Sequence, residues 1–450
     1  MSTMPVSSDA ECRLAEALTA AVAGELKVAA GIWRELLDRE PYLLEAQQNL
    51  ALALFKLREY GEAFQHLECA CRLFPRDPTL ALWHGHVMQK LGNTEQAAAD
   101  YTTAVALEPD NASTWMVLAM ARRDLADYPS ACDAIQQYLR LNPHDPQGHF
   151  EYAQLLLGLG RCEQGFAEYE WRFHRTTCPL REYPHPRWDG TVRAGFRLLI
   201  YAEQGYGDTI QFVRFIPQLV REGMVITFAC YPELVRLMQC LSGLCHVVEL
   251  GTEPREMDAN VPIMSLGLHC AAMLRENRLD LPYLSINSPP GPLLPSALSG
   301  REKRIGLVWA GSSRYNNDDV RSMEWSIFSR IMENREHRYY SLQVGGQRPE
   351  PWPEQLKDLS PLIHDYADSA ALVAQLELVI TVDTSVAHLT GALGLPCWLL
   401  LPFAPDWRWL LQESIGPWYQ EMRIFRQTRR GDWQGVVSRV INALDGLRES

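Results

Sequence analysis

The sequence predicts an α + α/β chain, an N-terminal helical-hairpin solenoid followed by two doubly wound domains of parallel strands and helices. Three observations carry that prediction. Pro41, Pro75, Pro109 and Pro143 stand 34 residues apart, the period of a two-helix repeat. Past residue 196 that period gives way to short apolar runs alternating with amphipathic stretches, the pattern of parallel β-α units. A segment rich in proline near Leu281 to Gly300 then separates two rounds of the same alternation.

The repeat holds in detail. Ala29, Ala63, Ala97 and Ala131 lie twelve residues before each proline, small where two helices must approach, and Trp33, Leu67, Tyr101 and Ile135 lie eight before it, filling the space between helices. Gly24, Arg58, Gly92 and Ala126, seventeen before, mark the turn inside each hairpin, and the prolines stop each second helix. This pattern resembles the tetratricopeptide repeat over about residues 10 to 145. A fifth, incomplete unit keeps register at Tyr152, Ala153, Gly160 and Tyr169 and reads as the cap of a four-repeat array spanning 1–175. Such arrays curve around a groove that binds extended peptide or protein.

A connector, 176–196, holds Pro179, Pro184, Pro186, Trp188 and Gly190, and its aromatics predict a packed segment. The first α/β domain, 197–285, has strands expected at Arg197 to Ala202, Val225 to Cys230 and His246 to Leu250, with helices at Thr209 to Glu222 and Pro232 to Cys240. A linker, 286–303, leads to the second, 304–450. Its strands are expected at Arg304 to Ala310, Tyr339 to Val344, Leu378 to Val382 and Cys397 to Leu401, its helices at Trp325 to Glu333, Ser369 to Gln375 and Ser385 to Leu393. Ligands of such pairs sit in the cleft at the carboxyl ends of the strands.

Composition narrows the chemistry. At 450 residues several domains are expected, and a net charge of −13 argues against a nucleic-acid partner, which clustered Lys and Arg would serve. Eleven cysteines without a C-x-x-C pair read as reduced thiols, not as zinc ligands or disulfides. No apolar run is long enough to span a bilayer and Met1 to Glu11 has no signal pattern, so a cytoplasmic protein is expected.

Three turns feed the cleft. Gln204, Gly205, Gly207, Asp208 and Thr209 follow the first strand; the glycines admit a close approach, and Asp208 at the helix start reads as a base or as a cap. Gly311 and Ser312, in the run Gly306 to Ser313, with Arg321 beyond, suit a diphosphate or a polar surface loop with solvated Arg314 and Arg321. Asp383, Thr384 and Ser385 end a buried strand and open a helix rich in small residues, so that amides and hydroxyls are expected to point together at an anion, with His388 one turn on. Asp318 and Asp319 read as loop rather than as a metal pair. The cluster Trp407, Arg408, Trp409 reads as interdomain packing, and Arg423, Arg426, Arg429 and Arg430 as a solvated face, with a donor-side role open for all of them.

Together these turns resemble the bacterial proteins that join tetratricopeptide repeats to a heptosyltransferase-like glycosyltransferase domain of the GT-B fold, two Rossmann-like halves. The resemblance extends to Glu168 to Arg172, Trp188 to Gly190, Trp418-Tyr419 and Arg426-Gln427. It implies a metal-independent, inverting transfer of a sugar from a nucleotide-diphosphate donor to a hydroxyl, without a cofactor. Asp208 matches the family's base, with Gln204, Gly205, Gly207 and Thr209 on the acceptor side. Gly311, Ser312, Arg321, Asp383, Thr384, Ser385 and His388 match its donor site, although Ser385 stands where that family has Gly and Arg321 where it has Lys. Repeats fused to such a cleft resemble the O-GlcNAc transferases, which implies a protein acceptor such as flagellin or another secreted subunit. A glycan or lipid-linked acceptor, with the repeats used for assembly, and an inactive scaffold stay open.

Overall fold

The computed structural model describes residues 8–275, 280–286, 292–294, 302–312, 318–346, 348–412 and 416–447. The start of the chain, most of the expected linker 286–303, and Ser313 and Arg314 lie outside them. The chain divides into two compact units, Met1–Tyr152 and Ala153–Ser450.

In the first unit the repeats form helical hairpins: Ser8–Val22 with Leu26–Arg39, Leu44–Lys56 with Tyr60–Leu73, Pro78–Lys90 with Thr94–Leu107, and Ala112–Asp124 with Tyr128–Leu141. Each repeat proline lies two residues beyond a second helix. Ala29, Ala63, Ala97 and Ala131 are fully buried, and so are Leu67, Tyr101 and Ile135. Close packing at these positions leaves no slack. A methyl on Gly85 would stand 2.5 Å from the Tyr101 ring, so that glycine is what admits the large ring of its own hairpin. The turn inside each hairpin needs left-handed backbone. Gly24 and Gly92 adopt it at φ 83° and 85°, but Arg58 at 61° and Ala126 at 57° do so with a side chain attached, at a conformational cost glycine avoids.

The second unit opens with the end of the helix Pro146–Gly158, the helix Cys162–Tyr169 and a 3-10 turn Glu170–His174. Arg172, fully buried, ties this cap to the first sheet. It donates from Nε and Nη2 to the two oxygens of Glu203 at 3.1 and 2.7 Å, from Nη1 to Glu170 at 2.7 Å and from Nη2 to Ser265 at 2.9 Å, a two-pronged pairing suited to guanidinium. Within the connector Trp188 is buried and Arg187 bridges to Asn260, while most of the remaining residues are exposed.

Four parallel strands, β1 (Arg197–Tyr201), β2 (Val225–Cys230), β3 (His246–Glu249) and β4 (Ala259–Pro262), form a sheet of order β3-β2-β1-β4. Six more, β5 (Arg304–Val308), β6 (Arg338–Ser341), β7 (Leu356–Asp358), β8 (Leu378–Val382), β9 (Cys397–Leu401) and β10 (Met422–Arg426), are all parallel in the order β10-β9-β8-β5-β6-β7. Of the strands buried along their whole length, β9 is an apolar run and β8 is one but for Thr381. Strand order reverses between β5 and β8, so the turns leaving those two strands diverge and open a crevice.

Three expected elements differ most, the helix foreseen over Trp325 to Glu333 being Trp325–Phe328 followed by a 3-10 turn, Ser329–Glu333. The helix foreseen over Thr209 to Glu222 is interrupted: Tyr206–Phe212 runs into a 3-10 turn, and Ile216–Arg221 restarts with Pro217 in its first turn, where a missing N–H costs nothing. Asp318 and Asp319, foreseen as loop, begin a short helix, Asp318–Arg321, across which Arg321 Nε donates to Asp318 at 3.0 Å.

Candidate functional site

After β1 the chain reaches Gln204 in the left-handed region, φ 59°, a backbone state that residues other than glycine hold only when their surroundings fix it. Those surroundings are two tyrosines: Tyr231 donates its hydroxyl to the Gln204 carbonyl at 2.8 Å, and Tyr169 donates to Gln204 Oε1 at 3.0 Å. Gly205 caps the helix Tyr206–Phe212, and Asp208, at its third position, accepts the Gly205 N–H on Oδ2 at 2.8 Å. Thr209 is buried and returns its hydroxyl to the Gly205 carbonyl at 3.2 Å. The turn is therefore rigid, and the reading of Asp208 as a cap is satisfied in full.

Its second oxygen is occupied as well. Asp208 Oδ1 receives Nη2 of Arg408, a buried guanidinium from the opposite half that also donates from Nε to Gln211 at 2.9 Å and from Nη1 to Asp406 at 2.8 Å. Its central carbon lies 4.2 Å from the Trp407 ring centre. Arg408 was foreseen as packing within a Trp cluster, and it does pack between the halves. Its carboxylate partner lies 200 residues away in the chain, beyond any local pattern.

In the second sheet, Gln343 at the end of β6 braces the turn after β5: its Oε1 accepts the Trp309 and Ala310 N–H groups at 3.2 and 3.1 Å, and its Nε2 donates back to Ala310 at 3.1 Å. Gly311 donates to Ser322 Oγ at 2.9 Å, and a side chain at 311 would collide with the Arg321 guanidinium and Asp318. Ser312 is exposed beside this turn.

After β8, Asp383 leads to Thr384, the cap of helix Ser385–Ala392. The expectation that the two hydroxyls point together is corrected. Thr381 gives its hydrogen to the Val382 carbonyl at 2.7 Å, so at 3.0 Å the Thr384 hydroxyl donates back to Thr381. Ser385 Oγ instead meets the Tyr366 hydroxyl at 2.7 Å. The Thr384 side chain makes no cap hydrogen bond to the first amides of this helix.

The two turns meet. A methyl on Gly207 would stand 3.0 Å from His388 Cδ2 and 3.5 Å from Ser385 Cα, so only glycine lets the helix of the first half lie this close. His388, 4 % exposed, packs against Trp409, whose ring stacks on it at 5.2 Å, and Tyr419, whose hydroxyl lies 2.9 Å from Nδ1. Tyr283 continues the chain of polar groups: it donates to the Ile210 carbonyl at 2.9 Å and receives Arg214 Nη2 at 3.2 Å.

Charge follows from this burial. Desolvation, then Asp406, pushes the half-buried Asp383 carboxyl up to about 6, against the pull of Arg321, Arg408 and the Trp409 indole. Burial, then the positive charges of Arg408, Arg214 and Arg321, holds His388 well below its usual range, so its ring is neutral. Burial raises the Tyr419 phenol well above the usual value. Arg321 and Arg408 thus both act on Asp383 and His388, which gathers Asp208, Gly207, Arg321, Asp383, Ser385 and His388 around one junction. Arg408, for which a donor-side role was open, joins them, with Asp406, Gln211, Gln343 and Tyr419, to which the sequence assigned no role. A cavity of about 740 Å³ opens behind Trp407, lined among others by Leu157, Arg214, Met273 and Trp418; Asp208, Asp383 and Arg321 do not line it. Among the described residues no group of three or more His, Cys, Asp or Glu is placed to hold a metal ion.

The tetratricopeptide-repeat family model matches residues 84–146 and 116–170. Protein FlbA of Caulobacter vibrioides is 27 % identical over 446 residues, covering 89 % of this chain and 72 % of that protein. The mouse protein O-mannosyl-transferase TMTC1 is 32 % identical over 140 residues, 30 % of this chain and 15 % of its own length. A MamA structure from Desulfovibrio magneticus covers 37 % of the chain at 18 % identity with a TM-score of 0.34. The chain is thus one whose N-terminal region carries tetratricopeptide repeats and whose C-terminal region is built of parallel sheets with helices.

Proposed function

We propose that the chain is a metal-independent inverting glycosyltransferase of the GT-B type, moving a sugar from a nucleotide-diphosphate donor to a hydroxyl of a protein that the repeats recruit. One observation carries the reading: the helix starts that follow β1 and β8 of two all-parallel sheets abut at Gly207, Ser385 and His388, where α/β pairs bind ligands. On this reading Asp208 takes the proton of the acceptor hydroxyl, and the oxygen bonds to the anomeric carbon. The bond from that carbon to the diphosphate breaks, and its electron pair departs with the diphosphate. The developing charge is met by the amides at Ser385 and by Arg321 near Gly311 and Ser312. Neutral His388 and Asp383 shape the sugar side; Gln204, Gly205 and Thr209 hold the acceptor turn. The protein acceptor rests on the groove that tetratricopeptide arrays present. TMTC1 is by its name a protein O-mannosyl-transferase, which agrees in kind, but only 15 % of it is matched.

The test is calorimetry against nucleoside diphosphates and nucleotide sugars, followed by intact-mass analysis of co-expressed acceptor proteins. Binding of one nucleotide, transfer of one sugar mass, and loss of transfer with retained binding in Asp208→Asn are expected. Binding of no nucleotide favours the scaffold reading; transfer only to a glycan or lipid-linked sugar removes the protein acceptor.

A further inference from the structure

The charges around the junction leave little for a diphosphate to use. Four carboxylates, Asp208, Asp318, Asp383 and Asp406, stand near three guanidiniums. Arg321 is held by Asp318. Arg214 is turned onto the Trp418 carbonyl at 3.2 Å and Tyr283. Arg408 is held by Asp208 and Asp406 together. A diphosphate entering here adds negative charge, and beyond the helix amides it gains Arg321 or Arg408 only by drawing it away from a carboxylate.

Arg408 can be drawn without stranding a buried charge. If Nη2 leaves Asp208, the guanidinium keeps Asp406 on Nη1 and Gln211 on Nε, and Asp208 keeps the Gly205 N–H. Trp409, the next residue in the chain, stacks on His388 at 5.2 Å, which brings Arg408 to the turn where the donor would sit. The same departure uncovers Asp208 Oδ1, the oxygen an acceptor hydroxyl would need.

We propose that Arg408 is an exchange residue, which pairs with Asp208 and transfers its Nη2 contact to the diphosphate of an incoming donor, thereby freeing Asp208 only when the donor is bound. This rests on the transferase reading and adds to it an order of events: donor first, then acceptor activation. It also makes Asp208 a competitor of the ligand for Arg408, which a simple base would not be.

That competition gives the test. Binding of pyrophosphate and of the four ribonucleoside diphosphates to the full-length protein is measured by calorimetry for the native chain and for Asp208→Asn, Arg408→Lys and Arg408→Gln, each checked by thermal unfolding. With the competing carboxylate gone, Asp208→Asn should bind pyrophosphate several-fold more tightly, while Arg408→Gln should bind about tenfold more weakly, an energy near that of one charged hydrogen bond. Arg408→Lys, which keeps the charge, should recover part of the loss. Unchanged or weaker binding by Asp208→Asn in a folded protein overturns the exchange while leaving the transferase reading intact. No binding of any of these ligands to the native chain overturns both.

Discussion

Asp383 gives the most quantitative handle on the junction. Its carboxyl is lifted from 3.8 to about 6, first by desolvation and then by Asp406. Between these values the native protein holds a proton that the unfolded chain has lost, so stability falls as pH rises through that window, and the whole cost is present above pH 6. The difference of about 2.2 pH units corresponds to roughly 3 kcal/mol as an upper figure, since the neighbouring side chains readjust when the carboxyl ionises. Asn cannot ionise. Asp383→Asn should therefore match the native chain near pH 4 and exceed it in stability by up to about 3 kcal/mol at pH 7.5. Urea unfolding of both proteins, followed by tryptophan fluorescence from pH 4 to 8, reads this difference, with pH effects common to both cancelling. A stability difference flat across pH, or a native chain more stable than the variant at pH 7.5, would refute the electrostatic account of the junction.

Other substitutions probe the remaining joints. Arg172→Ala takes from Glu203 its guanidinium, leaving it the Met264 N–H, and leaves Glu170 with Arg187 and Ser265; it should cost the second unit about 3 kcal/mol, read by denaturant unfolding. Gly207→Leu drives a side chain into His388 and Ser385, and a loss of about 1–3 kcal/mol with faster hydrogen exchange in Tyr206–Phe212 is expected. Ala126→Gly relieves a left-handed turn and should raise the stability of the repeat unit by about 0.5–1 kcal/mol, measured as a shift in its thermal midpoint.

The repeats were legible because their constraint is local and recurs: the same small and large positions return with every proline, and the left-handed turns at Gly24, Arg58, Gly92 and Ala126 fall where the period puts them. Strands β2, β8 and β9 were read to the residue, since burial along most or all of its length makes each a largely apolar run. Three others were missed for the opposite reason. β4 is four residues containing Asn260 and Pro262, β7 is three residues long, and β10 places Arg423 and Arg426 on an edge strand, where charge is tolerated on the free side. The candidate site was legible as turns and not as a network. Glycine, Asp208 and the Thr384 cap announce themselves by their chain neighbours, but Arg408 acts on Asp208 across 200 residues. Its signal was a single cation set between two tryptophans, which suits packing as well as pairing. Hydroxyl directions were also beyond reach, because Tyr366, which takes Ser385, belongs to a helix no local pattern connects with it.

The central claim is that a nucleotide diphosphate settles at the start of the helix following β8. Hydrogen exchange of the full-length protein, with and without each ribonucleoside diphosphate, tests it most directly. Protection of the amides from Asp383 to Ala387 and at Gly311, by one nucleotide above the rest, is the predicted result. Protection confined to the cavity behind Trp407, or none at these amides with a nucleotide that calorimetry shows to bind, would contradict it.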